Sequence, residues 1–138
     1  MRIDAIKNGI VIDHIPAEKC MDLYKYLNLD NLNCTIAIIK NVPSNKYGKK
    51  DIIKISEELD VNLDVIGYVD PRITVNIIKD GVIVEKRRPE LPEKIVDVIK
   101  CKNPRCITSI EQEIQHEFRL TDREKKIYRC VYCEAKAK

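Results

Sequence analysis

The stretch ITVNIIKDGVIVE, residues 73–85, decides how the first part of this chain folds. Two runs rich in β-branched residues, 73–78 and 82–85, flank Asp80-Gly81. A two-residue type I′ turn needs positive φ at both central positions, and Asp-Gly adopts it readily, so the stretch reads as a β-hairpin. Working outward, Asn8-Gly9 between residues 3–7 and 10–14 gives the same signal and predicts a second hairpin. Residues 34–40 are almost wholly apolar and read as a buried strand. In residues 51–56, Ile52, Ile53 and Ile55 surround Lys54; nearby Lys, Glu and Leu59 would also suit a helix, and β-branching favours the strand. Residues 16–27 predict a helix, because Pro16 suits a first turn and Cys20, Leu23, Tyr24 and Leu27 share one face. Residues 60–67 predict a shorter helix with only a weak period from Val61 and Val65. The order hairpin, helix, strand, strand, helix, hairpin predicts an α+β fold, a ferredoxin-like antiparallel sheet with two helices on one face.

Composition limits the rest. The chain has 138 residues, 44% hydrophobic and 34% charged, which suits a globular protein of one ordinary domain or two small ones. It lacks Trp and has one Phe, so Ile, Val and Leu carry the apolar mass. A net charge of +3 is too weak to announce a nucleic-acid or membrane binder. The longest uncharged run, residues 31–39, falls far short of the roughly 20 residues a spanning helix needs. Asp4, Lys7 and Asp13 interrupt any signal-peptide core. These readings predict a soluble, cytoplasmic protein with no membrane partner.

The segment Arg87-Arg88-Pro89-Glu90-Leu91-Pro92 divides the chain, since its two prolines disfavour helix and central strand alike. The reading is a first domain over 1–90, a linker over 91–95 and a small β-rich zinc-ribbon domain over 96–138. Of six cysteines, Cys101, Cys106, Cys130 and Cys133 fall in the last piece. Their spacing is Cys-x4-Cys, 23 residues, then Cys-x2-Cys. Two such turns put four thiolates around a tetrahedron, which Zn2+ accepts. A disulfide framework, free thiols and an iron site are the competing readings; the first conflicts with an intracellular setting and the last usually takes two tight Cys-x2-Cys turns. Four ligands leave no place for water, so one Zn2+ per chain would be structural. Pieces of about this size usually need a metal to fold. Four thiolates plus Zn2+ lower the net charge to about +1, which favours a protein partner over nucleic acid for the ribbon.

Asp13-His14 ends a predicted strand. Neighbours on a strand point to opposite faces, so the pair reads as a polar strand end rather than a catalytic couple. Lys46, Lys49, Lys50 and Lys54 form one basic run, and Lys86, Arg87 and Arg88 another. Surface lysines are usually only solvated, but several converging on one pocket suit a phosphate. Asn76, Ile78 and Ile83 share a face of the hairpin at 73–85, where an Asn among apolar residues either reads a base edge or satisfies backbone. Gly9, Gly48, Gly67 and Gly81 lie far apart, so there is no P-loop and no dinucleotide fingerprint. A nucleophile elbow is absent too. The residues read as binding and assembly rather than chemistry.

Several runs resemble the regulatory chain of aspartate carbamoyltransferase. They are Asn8-Gly9-Ile10-Val11-Ile12-Asp13-His14-Ile15-Pro16-Ala17, Asn41-Val42-Pro43-Ser44 with Gly48-Lys49-Lys50-Asp51-Ile52-Ile53-Lys54-Ile55, Pro71-Arg72-Ile73-Thr74-Val75-Asn76 and Arg88-Pro89-Glu90-Leu91-Pro92-Glu93, closed by the cysteine pattern. The resemblance implies a non-catalytic subunit of pyrimidine biosynthesis. Its first domain would bind CTP and ATP as allosteric effectors, its zinc domain would grip the catalytic chain, and dimers of it would bridge catalytic trimers. Carried over by position, the effector site comprises Ala5, Ile6, Val11, Asp13, His14, Lys54, Asn76, Ile78, Ile83 and Lys86, with Lys50 near phosphate. Lys54 and Lys86 would serve ribose and phosphates with His14 beside them, while Ala5, Ile6 and Ile78 would face the base.

The chain departs from the family pattern in places. Gly81 stands where some members carry a larger side chain, which implies a weaker base or ribose contact. Arg105 stands where a smaller polar residue is common, which alters the expected contact to the catalytic chain. A shorter N-terminal arm implies reduced synergy between effectors. The alternative on the residues alone is a stand-alone zinc-ribbon protein that binds nucleic acid through its lysines. The low charge and few aromatics count against it. A small enzyme built on Asp13 and His14 would lack a nucleophile.

Overall fold

The computed structural model describes residues 7–45 and 48–137. They form two compact units, Met1–Glu90 and Leu91–Lys138. In unit 1 the chain runs β1 (Gly9–Pro16), α1 (Cys20–Tyr26), β2 (Ile36–Ser44), β3 (Gly48–Ile55), α2 (Leu63–Val69), β4 (Thr74–Lys79) and β5 (Val82–Arg87). The sheet order is β2-β3-β1-β4-β5, with every neighbouring pair antiparallel. The path from β1 to β4 is the ferredoxin-like double crossover. β5 is added through the Asp80-Gly81 turn, where both residues have positive φ, 52° and 80°.

Alternation along the strands sorts the side chains. Ile10 and Ile12 of β1, Ile53 and Ile55 of β3 and Val75 of β4 turn to one face, where Cys20 and Leu23 of α1 and Ile66 of α2 cover them. Each such isoleucine contributes about 1.5–3 kcal/mol by leaving water. Asn62 caps α2: its Oδ1 accepts the N–H of Asp64 at 3.0 Å and of Val65 at 3.4 Å. That cap explains why the helix starts three residues later than its apolar pattern indicated.

Three readings change in detail. Both edges of β1 are taken, by β3 and β4, so Asn8-Gly9 opens no hairpin onto this strand. Gly9 instead has φ 150°, and a Cβ there would collide with the Ile55 carbonyl; residues 3–6 of the expected strand lie outside the described ones. Pro16 does not start α1 but completes β1 opposite Lys50, a strand end that tolerates its missing N–H. β2 is an edge strand and half-exposed rather than buried, which also accommodates Pro43.

Unit 2 is a three-stranded antiparallel sheet, β6 (Lys94–Val96), β7 (Glu117–Asp122) and β8 (Ile127–Cys130), with a one-turn helix α3 (Ile107–Ile110). Leu91, Ile95, Phe118 and Tyr128 are buried. The linker expected at 91–95 is therefore packed structure. Leu91 is buried, the Tyr128 hydroxyl donates to the Pro92 carbonyl, and β6 begins at Lys94. Among the described residues no helix is long and apolar enough to cross a membrane.

Candidate functional site

The four C-terminal cysteines converge. Cys106 directly precedes α3, Cys130 ends β8, and the turn after it returns Cys133; Cys101 lies ahead of the α3 turn. All four Sγ atoms lie within 4.8 Å of one another, with Cys101–Cys133 at 3.5 Å and Cys106–Cys130 at 3.6 Å. A tetrahedron with bonds of about 2.3 Å has edges of about 3.8 Å, so the donor set fits Zn2+. A disulfide needs about 2.05 Å, and all six cysteines are unbridged.

The surroundings favour thiolates. Buried Thr108 places Oγ1 3.1 Å from the Cys106 sulfur. Backbone N–H groups of Asn103, Thr108, Tyr132, Cys133 and Ala135 also point at the sulfurs. Without a metal the four cannot share one charge state. The Thr108 hydroxyl holds Cys106 down to about 6, whereas burial pushes Cys101 up to about 12. A divalent cation removes that conflict by neutralising the cluster. Asp97 and His116 brace the entry: the Cys101 N–H donates to His116 Nδ1 at 3.1 Å, and the His116 N–H donates to Asp97 Oδ1 at 2.9 Å. Neither Thr108 nor His116 belongs to the cysteine pattern. Their roles arise from folding, and the sequence carries no separate signal for them.

The face of the unit 1 sheet opposite the helices holds the second constellation. Cross-strand register aligns Lys54 of β3 with Val11 of β1, Val11 with Asn76 of β4, and Asn76 with Lys86 of β5. Asp13, Lys50, Ile78 and Ile83 lie on the same face by alternation and pairing. Asn76 is buried, and its Oδ1 has no hydrogen-bond partner among the described residues. Lys50 Nζ meets Asp13 Oδ1 at 2.9 Å. Burial opposes ionisation of Asp13, but the Lys50 ammonium and the His14 N–H outweigh it and keep its carboxyl below the ordinary value of 3.8. Among the described residues neither Lys54 nor Lys86 forms an ion pair. Ala5 and Ile6, and Lys46 of the first basic run, lie outside the described residues.

Asp13 and His14 are not held apart as simple alternation predicts. A bulge between Ile12 and Ile15 inserts them, and His14 takes φ 58°. The His14 N–H then donates to Asp13 Oδ1 at 2.6 Å, and its ring Nδ1 lies 3.0 Å from Thr74 Oγ1. Thr74 is a member of this face that the sequence reading missed; its place opposite Asp13 in the register is the signal that finds it.

Known proteins match the whole chain. The family model described as aspartate carbamoyltransferase regulatory chain, allosteric domain, matches residues 1–90, and the model described as its metal binding domain matches residues 93–138. The aspartate carbamoyltransferase regulatory chain of Clostridium tetani is 54% identical over 97% of this chain and 94% of its own length. That of Bifidobacterium longum is 46% identical over 100% and 99%. That of a Clostridium botulinum strain is 51% identical over 97% and 92%. The four-cysteine centre is thus the structural zinc site of a metal-binding domain, and this chain belongs to the family of aspartate carbamoyltransferase regulatory chains.

Proposed function

We propose that the open sheet face of unit 1 binds CTP or ATP, and that the chain transmits the binding to a catalytic chain without performing chemistry itself. The observation that carries this reading is the row Lys54–Val11–Asn76–Lys86, with a buried Asn76 oxygen that lacks a donor. Cytosine and adenine both carry an exocyclic amine that could supply one. Lys54 and Lys86 stand three strand spacings apart, roughly 14 Å. At that spacing they bracket an extended nucleoside triphosphate, one cation toward the ribose and the other toward the phosphates. Lys50 is already paired with Asp13, so it acts mainly by holding that carboxylate, with His14, at the edge of the face.

In unit 2, Ile107 and Ile110 lie one turn apart on α3 and are 41% and 63% exposed, and Tyr132 in the cysteine turn is 53% exposed. Exposed apolar side chains beside a rigid metal centre suit contact with the catalytic chain. Pairs of this chain would then link catalytic trimers. Calorimetric titration of CTP and ATP tests the nucleotide site. Lys54→Ala and Lys86→Ala should each cost about 1.5–3 kcal/mol of binding, on the order of tenfold to a hundredfold. Solvated lysines would change it by no more than about 1 kcal/mol. Two variants that bind like the parent would remove the phosphate assignment.

A further inference from the structure

We infer that Asp51, a residue on the helix-covered side of the sheet, is the positioning residue for the effector face on the other side. The inference rests on the nucleotide reading above only for its binding readout. Asp51 is fully buried. It alternates with Ile53 and Ile55, and so points away from Lys50, Lys54 and the open face. A carboxylate in that position costs folding free energy unless every oxygen is engaged. Here Oδ2 accepts the N–H of Glu18 at 2.9 Å and Oδ1 accepts the N–H of Asn41 at 3.0 Å. The backbone and thiol of Cys20 add further donors, which keep the Asp51 carboxyl ionised despite its burial.

The donors are not ordinary loop residues. Glu18 and Asn41 have φ 76° and 59°, in the left-handed region, which is rare for a glutamate and more accessible to an asparagine. Asn41 sits in the β2–β3 bulge between Ile39 and Val42. Glu18 follows the end of β1, where Ile15 pairs with Asp51 itself just past the bulge that contains Asp13 and His14. One carboxylate therefore fixes the far side of both bulges to β3. The β1 bulge is what turns Asp13 and His14 together toward Lys50 and Thr74. Without the clamp, Glu18 and Asn41 relax to negative φ and the Asp13–His14 corner loses its register.

The test uses the two histidines of the chain, His14 at the corner and His116 in unit 2. Asp51→Asn keeps the shape but offers an amide N–H2 to an N–H donor. In the folded full-length chain it should move the His14 imidazole resonances and leave those of His116 in place, and CTP binding should weaken on the order of tenfold. A variant that only loses stability keeps the His14 resonances where they are in its folded fraction. A triple variant, Glu18→Gly with Asn41→Gly and Asp51→Asn, supplies the left-handed conformations without the carboxylate. It should restore the His14 resonances and bring CTP affinity back to within about threefold of the parent, and it carries the test if the single variant fails to fold. Unchanged His14 resonances with parental affinity in Asp51→Asn overturn the inference. So does a triple variant that is unfolded, or folded with His14 still displaced. A parent chain that binds neither CTP nor ATP overturns the nucleotide reading instead, and the His14 comparison still reads the clamp.

Discussion

Unit 1 closes its core with Ile10, Ile12, Ile53, Ile55, Ile66, Ile73 and Val75, spread over three strands, a helix and the residue that leads into β4. In unit 2 the buried apolar side chains include Leu91, Ile95, Phe118 and Tyr128, and two of the buried residues are metal-site cysteines. Short strands of three, six and four residues cannot cover a sheet face by themselves. The first unit is held by burial, the second by burial plus a centre that ties the α3 turn to the end of β8. The difference teaches where each half of the chain is vulnerable. Substitutions in unit 1 subtract from a distributed sum, whereas in unit 2 one lost ligand removes the term that makes folding favourable.

The largest effect should follow from removing the metal. Apparent zinc-binding free energies in small structural sites are on the order of 10–16 kcal/mol, and they count as folding free energy. Cys130→Ser, or a strong chelator, should abolish the dispersed resonances of unit 2 and leave those of unit 1. Acid should do the same, and the sign is fixed by the ligands. Zinc binds thiolates, protons compete for them, and occupancy falls as pH falls. Unit 1 responds later. The depressed carboxyls of Asp13 and Asp51 contribute stability that is present above 3.8 and is lost as pH falls through their lower folded values. Following both units by resonance intensity during an acid titration checks the order; loss of unit 1 first would reverse the comparison.

Next in size is a cavity in the distributed core. Ile53 of β3 is fully buried and pairs with Ile12 of β1 and Ile38 of β2. Ile53→Ala should cost about 2–5 kcal/mol, read as a shifted denaturation midpoint of unit 1 with full zinc content. A loss of zinc in that variant would show that the two units do not stand on separate supports.

How much of this was legible in the sequence follows the same division. The cysteine spacing exposed the metal centre because thiolate ligands have one dominant use at such spacing, and the four sulfurs do converge. The Asp80-Gly81 hairpin and the alternating strands also emerged, since local φ preference and period 2 act over a few residues. What failed was non-local. Asn8-Gly9 has the dipeptide of a turn, but β3 and β4 compete for both edges of β1, and Gly9 is required instead by the close approach of Ile55. Asp13 and His14 were separated by an alternation that a bulge breaks. Asp51 carried no reading beyond opening the strand at 51–56, because only the fold reveals that its donors come from residues 18 and 41. Leu91 and Pro92 read as linker because proline disfavours regular structure, yet a proline carbonyl still accepts the Tyr128 hydroxyl.

The smallest effect sharpens the comparison most finely. α2 is only seven residues long, and Asn62 satisfies two of its first N–H groups. So short a helix has little propensity of its own and persists through its buried face, Val65, Ile66 and Tyr68. Asn62→Ala leaves that face intact and removes only the acceptor, so the cost should be about 1 kcal/mol. For a unit of this size that corresponds to a drop of about 4–8 °C in the Tm of unit 1. Asn62→Asp should restore most of it, because a carboxylate accepts the same two donors. Zinc content and the melting of unit 2 should not move in either variant. If Asn62→Ala lowers the Tm of unit 1 and Asn62→Asp does not recover it, the capping geometry is not what starts α2, and the late start of the helix needs another cause.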